Sequence, residues 1–156
     1  MNAHVHFLQT AIDLACQNVA NGGGPFGALV VKDQRIIASS GNRVTPNLDP
    51  TAHAEIMAIR LACQQLEDFQ LSDCTLYTSC EPCPMCLGAI YWARLQNVYY
   101  ACNRFDAATA GFDDSFIYDE IPKPPLQRTI AMHYLELPKA DAPFLAWNSL
   151  AGKIPY

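Results

Sequence analysis

Three residues of this 156-residue chain have the types and spacing of metal ligands: His53, Cys83 and Cys86. The two cysteines lie three apart in Pro82-Cys83-Pro84-Met85-Cys86, at a predicted helix start, so they share one face. A helix N-terminus favours thiolate, the form that binds metal. One imidazole and two thiolates suit Zn²⁺, and three protein ligands leave the fourth tetrahedral position to water. Such a zinc lowers the pKa of that water and makes hydroxide available near neutrality. Glu55, two residues beyond His53, is then the candidate general acid-base that takes a proton from the water and returns it to a substrate. The expected cofactor is one Zn²⁺ per subunit with a bound water or hydroxide. In an ideal helix, residues two apart point in nearly opposite directions. His53 and Glu55 can therefore share a site only in the first turns of a helix, where a pocket can wrap its end.

Blander readings compete. His53 with Cys80, Cys83 and Cys86 would make a closed structural zinc site, and the chain would then be a non-catalytic module that binds a partner protein. That reading leaves Glu55 without a purpose, and Cys80 precedes a Glu-Pro turn. Cys80 is read instead as a buried strand-end thiol. Gly22-Gly23-Gly24-Pro25-Phe26-Gly27 formally fits G-x-G-x-x-G. It follows a helix and precedes a strand, the reverse of a dinucleotide site, and is rejected as one.

The elements that must position these residues are legible from periodicity. Val5, Leu8, Ile12, Ala15 and Val19 predict a helix over 5–20, stopped by Asn21 and the glycines 22–24. Strands are expected at 27–32 and 35–39 around a tight turn at Asp33-Gln34. Asp49-Pro50 reads as a helix start, with the helix running to Gln65. A buried strand at 74–79, a helix from Pro84 to Arg94 and a strand at 97–102 follow. Residues 111–120 are loop or short helix, and Ile121-Pro122-Lys123-Pro124-Pro125 is a stiff connector. A last strand at 128–137 and a last helix at 140–150 complete the order. The expectation is an α/β fold: a three-layer α-β-α sandwich around one five-stranded, mixed but mostly parallel sheet. The site should lie between the starts of the two helices that begin near Pro50 and Pro84.

Composition bounds the function. Hydrophobic residues make up 51% and charged residues 16%, which excludes a disordered chain. The formal net charge of −5 gives no general footprint for nucleic acid or an anionic membrane. No apolar run is long enough to cross a bilayer, and no secretory signal is visible at the N-terminus. Seven cysteines, an odd number, argue against a disulfide framework and for a reducing, cytoplasmic setting.

The pattern His53-x-Glu55 followed by Pro82-Cys83-x-x-Cys86 resembles that of zinc-dependent nucleobase deaminases. Pro25-Phe26-Gly27-Ala28, Asn42, the run Asp49 to Glu55 and the run Glu81 to Ile90 look like the cytidine-deaminase-like superfamily. Gly111-Phe112-Asp113-Asp114-Ser115-Phe116-Ile117-Tyr118, with a terminal Tyr156, resembles the bacterial guanine deaminase family within it. The resemblance implies that His53, Cys83 and Cys86 hold zinc and that Glu55 shuttles protons. It implies that Asn42 and Ala54 meet the base and that Asp114 assists proton transfer to the departing amine. Phe26, Trp92 and Phe112 would wall the ring, and Tyr156 would close the pocket. The implied reaction is guanine plus water to xanthine plus ammonia. The implied organisation is a single domain over 1–156 that forms a homodimer, with 122–156 as a C-terminal segment able to swap between subunits. The partners would be a small nucleobase and a second copy, with no nucleic acid and no membrane. Two rivals carry similar zinc segments: tRNA adenosine deaminases, expected to be basic, and cytosine deaminases, expected to have a smaller pocket.

Overall fold

A computed structural model describes residues 2–156. The chain divides into two units, the first ending at Asp114 and the second spanning Ser115–Tyr156.

The first unit opens with helix α1, Ala3–Ala20. Asn2 caps it by accepting from the His4 N–H at 3.1 Å. Its buried face is Phe7, Ala11, Ala15 and Asn18, whereas Val5 and Val19 are exposed. The expected stripe is therefore turned about the helix axis and shares only Ala15 with the observed one. The cause lies on the facing strand. A Cβ on Gly27 would stand 2.4 Å from the Ala11 carbonyl oxygen and 2.8 Å from the Ala15 nitrogen. The helix thus docks through its smallest residues, and backbone meets backbone.

Strands β1 (Gly24–Lys32) and β2 (Arg35–Asn42) form a hairpin. Asp33 and Gln34 both take positive φ, 48° and 59°, as a tight primed turn demands. A short helix, α2 (Val44–Asn47), follows. Helix α3 is Ala54–Leu66, strand β3 is Thr75–Cys80, helix α4 is Pro84–Trp92 and strand β4 is Asn97–Cys102. Among the described residues the sheet has four strands, in the order β2-β1-β3-β4. β1 is antiparallel to both β2 and β3, and only β3 and β4 are parallel. On one face Ala28, Val30, Ala38 and Leu76 pack with Ala54, Ala58, Ile59 and Ala62 of α3 and Ile90 of α4. On the other, Leu29, Val31 and Tyr77 pack with Phe7 and Ala11 of α1. These are the three layers. Helix α5 (Arg104–Thr109) closes the unit, its start held by a capping box of Asn103 and Asp106.

The second unit holds α6 (Ser115–Glu120), a 3₁₀ turn at Pro125–Gln127 and α7 (Ala142–Ser149).

Three sequence expectations are corrected. The sheet has four strands, not five, and is not mostly parallel. Residues 131–137, in the stretch expected as the last strand, are irregular, and the second unit contains no other strand to supply a ladder. Ile130, Tyr134 and Leu135 there are exposed. Asp49-Pro50 does not start the long helix. Asp49 instead folds back on Thr51, accepting from its N–H at 2.8 Å and its hydroxyl at 2.7 Å, and α3 begins at Ala54. The side-chain oxygen that could have capped a helix closes a local turn.

The docking of α1 on β1 gives a direct expectation. Gly27→Ala should cost about 1–3 kcal/mol of stability, because the obstructing atoms are backbone and cannot step aside. Urea unfolding checks this, and an unchanged midpoint would contradict the close approach.

Candidate functional site

His53 precedes the first residue of α3 in extended backbone, φ −65° and ψ 155°. The loop before it is tied down: the Arg43 N–H donates to the Ala52 carbonyl at 2.8 Å, and the His53 N–H donates to the Thr51 carbonyl at 2.8 Å. Glu55 is the second residue of the helix. The geometric difficulty of two residues in one helix pointing apart is thereby removed, because His53 lies outside the helical turn. Cys83 repeats the arrangement. It caps α4 in extended backbone, φ −66° and ψ 169°, with Pro84 as the first helical residue. Proline loses nothing there, since the first helical N–H has no partner within the helix. Cys86 follows one turn on and is fully buried.

The two helix starts bring the three predicted ligands together. His53 Nδ1 lies 3.5 Å from the Sγ of both Cys83 and Cys86. All three ligand atoms lie within 4.8 Å of one another. Tetrahedral bonds of about 2.3 Å to sulfur and 2.0–2.1 Å to nitrogen separate such atoms by about 3.6 Å. The donor set and its spacing therefore fit zinc. Cys80 stays outside the group: it is buried, and its thiol donates to the Asn103 carbonyl at 3.6 Å. Burial pushes that thiol up to about 11. A fourth sulfur for a closed site is not supplied by Cys80.

The electrostatics are those of a site built for a cation. The Cys86 thiol donates to Cys83, and His53 donates as well, holding Cys83 down to about 4. Cys86 is driven the other way by the same contact and by burial, so the pair keeps one proton. His53 is raised, first by its bond to Cys83. Glu55 is 6% exposed, and burial raises its carboxyl, which also faces the Cys86 sulfur and senses His53. Asp114 is raised as well, first by burial and then by the charge on Cys83. Both candidate proton carriers thus lie within electrostatic reach of the same cluster.

The other predicted site residues are distributed differently. Ala54 is fully buried as the first residue of α3. Asn42 ends β2 and is buried, and its Oδ1 accepts from the Val44 N–H at 3.2 Å. Arg43, its neighbour, is the residue bonded to Ala52, so Asn42 and His53 are tied through adjacent backbone. Phe26 and Phe112 meet edge to face with centroids 5.0 Å apart. They line a cavity of about 270 Å³ with α1 residues, Ser79, Cys80 and Cys102, and none of the three ligands or Glu55 lines it. Trp92 is the last residue of α4, at the opposite end from Cys83, and is 64% exposed. Tyr156 belongs to the second unit and is exposed. Sequence reasoning missed Asn18, a buried amide on α1 that bonds the backbone of Asn42. The available signal was a polar residue continuing the series 7, 11, 15 on an apolar face.

The thiol pair makes one outcome specific. In metal-free protein Cys83 is held well below an ordinary thiol by its donors, whereas burial raises Cys74 and Cys80. Iodoacetamide should label Cys83 first, and zinc should protect it. Equal labelling of these thiols, or no protection by zinc, would count against the site.

Comparison with known proteins extends the picture. Residues 1–102 match the family model described as cytidine and deoxycytidylate deaminase zinc-binding region. A guanine deaminase of Bacillus subtilis is 58% identical over 154 residues, covering 98% of this chain and 99% of its own. The crystal structure of a B. subtilis guanine deaminase superposes with a TM-score of 0.97 over 100% of this chain and 99% of that one. A solved guanine deaminase of Nitrosomonas europaea, 35% identical, gives a TM-score of 0.66 over 76% of this chain and 65% of that one. A tRNA-specific adenosine deaminase of Agrobacterium fabrum is 43% identical over 100 residues, covering 64% of this chain and 66% of its own. Since the metal-ligand geometry coincides with a family match over most of the chain and a full-length relative, the chain belongs to the zinc-binding cytidine and deoxycytidylate deaminase family, on its guanine deaminase branch.

Proposed function

We propose that the protein is a hydrolytic aminohydrolase that converts guanine and water to xanthine and ammonia. The observation that carries the reading is the full-length likeness to guanine deaminase, which includes the second unit. The quoted tRNA adenosine deaminase likeness spans 64% of the chain, and a net charge of −5 does not suit a tRNA surface.

His53, Cys83 and Cys86 would hold the metal. A zinc ion with three protein ligands supplies, when bound, a water acidified towards neutrality. Glu55 is the proton carrier: buried and raised, it takes a proton from the water that adds to C2 of the base and delivers it to the adjacent ring nitrogen. Asp114, also raised, gives a proton to the exocyclic amine as the C2–N bond breaks and ammonia leaves, and the new C2 hydroxyl gives up its proton in exchange and becomes the carbonyl of xanthine. Asn42 meets the base. Its Oδ1 is engaged by Val44, which leaves the amide Nδ2 as its donor to an acceptor on the substrate. Ala54, Phe26, Phe112, Trp92 and Tyr156 are the proposed contacts with the ring.

We further propose that the working form is a homodimer in which the segment 122–156 exchanges between subunits. None of residues 115–156 is buried in the single chain, although the unit carries Phe144, Leu145 and Leu150 as well as the apolar residues near 130. A 42-residue unit without a core of its own needs a surface to cover. Among the described residues, no helix is long and apolar enough to cross a membrane. The seven free thiols fit the reducing cytoplasm proposed as its setting.

Ammonia release from guanine, adenine, cytosine and an anticodon stem-loop RNA, measured in parallel, tests the reaction. Guanine alone should release ammonia, and Glu55→Gln should lower the rate by about 10²–10⁴ with zinc content unchanged. Release only from RNA or cytosine would overturn the substrate. Light scattering should return twice the chain mass; a monomer would remove the exchange.

A further inference from the structure

The base of the β1–β2 hairpin is irregular. Gly24 pairs with Asn42 and Gly27 with Gly41, so Pro25 and Phe26 have no counterpart on β2. A bulge of this kind interrupts the ladder and leaves backbone carbonyls to find other donors. Two proposed substrate residues, Phe26 and Asn42, sit on this irregularity. What stabilises it comes from a different layer of the fold.

Asn18, in the last turn of α1, is 6% exposed. Its Nδ2 donates to the Gly24 carbonyl at 2.7 Å and to the Asn42 carbonyl at 2.8 Å, one bond to each strand. Both hydrogens of the amide are used. Its own backbone carbonyl accepts from the Gly23 N–H at 2.9 Å. The side chain occupies space that ordinary residues would fill: a Cβ on Gly23 would lie 2.3 Å from Asn18 Nδ2, and a Cβ on Gly41 would lie 2.2 Å from Asn18 Cγ. Two glycines therefore make room for one amide. A Cβ on Gly24 would stand 3.0 Å from Asn42 Oδ1, so the Asn42 amide lies close over the residue whose carbonyl Asn18 grips.

We propose that Asn18 is a positioning residue for the reaction: it clamps the two strands across the bulge and thereby sets the Asn42 amide where it meets the base. The inference rests on the reading of Asn42 as a substrate contact. Asn42 is held on three sides. Asn18 takes its carbonyl, the Val44 N–H takes its Oδ1, and the following residue, Arg43, is tied to Ala52 beside His53. Of these holds, the one made by Asn18 is supplied by a side chain from α1. Recognition by a single amide depends on its placement to within about 0.5 Å. Asn18 does not touch the metal ligands, so its loss should act on substrate engagement and leave the zinc site intact. A purely structural amide would lower stability alone.

A double-mutant cycle over Asn18→Ala and Asn42→Ala separates the two roles. In the wild-type background, Asn18→Ala should raise KM for guanine and lower kcat/KM by about tenfold with zinc content unchanged. In the Asn42→Ala background, the same substitution should change kcat/KM by less than about twofold. Equal losses in both backgrounds, or a lower melting temperature with KM unchanged, would overturn the proposal. Should Asn18→Ala not fold, Asn18→Ser, which keeps one donor, takes its place in the cycle. A wild-type protein without guanine turnover would fail the functional reading, not this one. The side-chain amide resonances of Asn42 then decide: they should move in the Asn18 variant, and unmoved resonances would overturn the clamp.

Discussion

His53 and Cys83 each stand one residue outside a helix, and the approach of their side chains to 3.5 Å depends on where α3 and α4 begin. Most of the first unit serves that distance. Parallel β3 and β4 place α4 on one face of the sheet, and the core of Ala28, Val30 and Leu76 seats α3 beside it. Alanines at 54, 58 and 62 give α3 a smooth face, so the helix lies close to the sheet. On the opposite face the contact of Gly27 with α1 locks β1 in depth. A shift of either helix start by a fraction of a turn would leave two thiols and an imidazole unable to share one ion.

The same convergence explains the charges. Two sulfurs and a carboxylate are gathered in a largely dry space, and without a cation the system retains protons to limit repulsion. Cys83 ionises because Cys86 and His53 donate to it, Cys86 does not, and the Glu55 and Asp114 carboxyls are raised. A divalent cation would replace those protons as the counter-charge. Burial of Glu55 suits proton transfer for the same reason, since a carboxyl raised by desolvation holds a proton more readily than a free one and can return it.

The second unit obeys a different constraint. Its apolar residues meet solvent in the single chain, and its backbone between Arg128 and Leu137 has no strand to pair with. Hydrophobic content without burial points to assembly. The Bacillus subtilis relative is matched over 98% of this chain, so it carries a corresponding segment.

The three grouped donors His53, Cys83 and Cys86, the carboxyl beside them and most elements were legible in the residues, because donor chemistry and periodicity are local properties. The Pro84 helix start, the Asp33-Gln34 turn and the buried strand-end Cys80 follow from near neighbours along the chain. Other features depended on partners distant in sequence. The face of α1 was turned by a glycine on β1, and Asp49 found Thr51 before it could cap a helix. The stretch near 130 had strand-like residues but no edge within its own unit. Asn18 looked like one more polar residue near a helix end until the fold set the carbonyls of Gly24 and Asn42 against it. By itself, then, the sequence determined which side chains can bind zinc and move protons, since that is a matter of functional groups and their spacing. Only the tertiary structure decided strand count, helix facing and what holds Asn42, because each is set by which distant backbone is there to be satisfied or avoided.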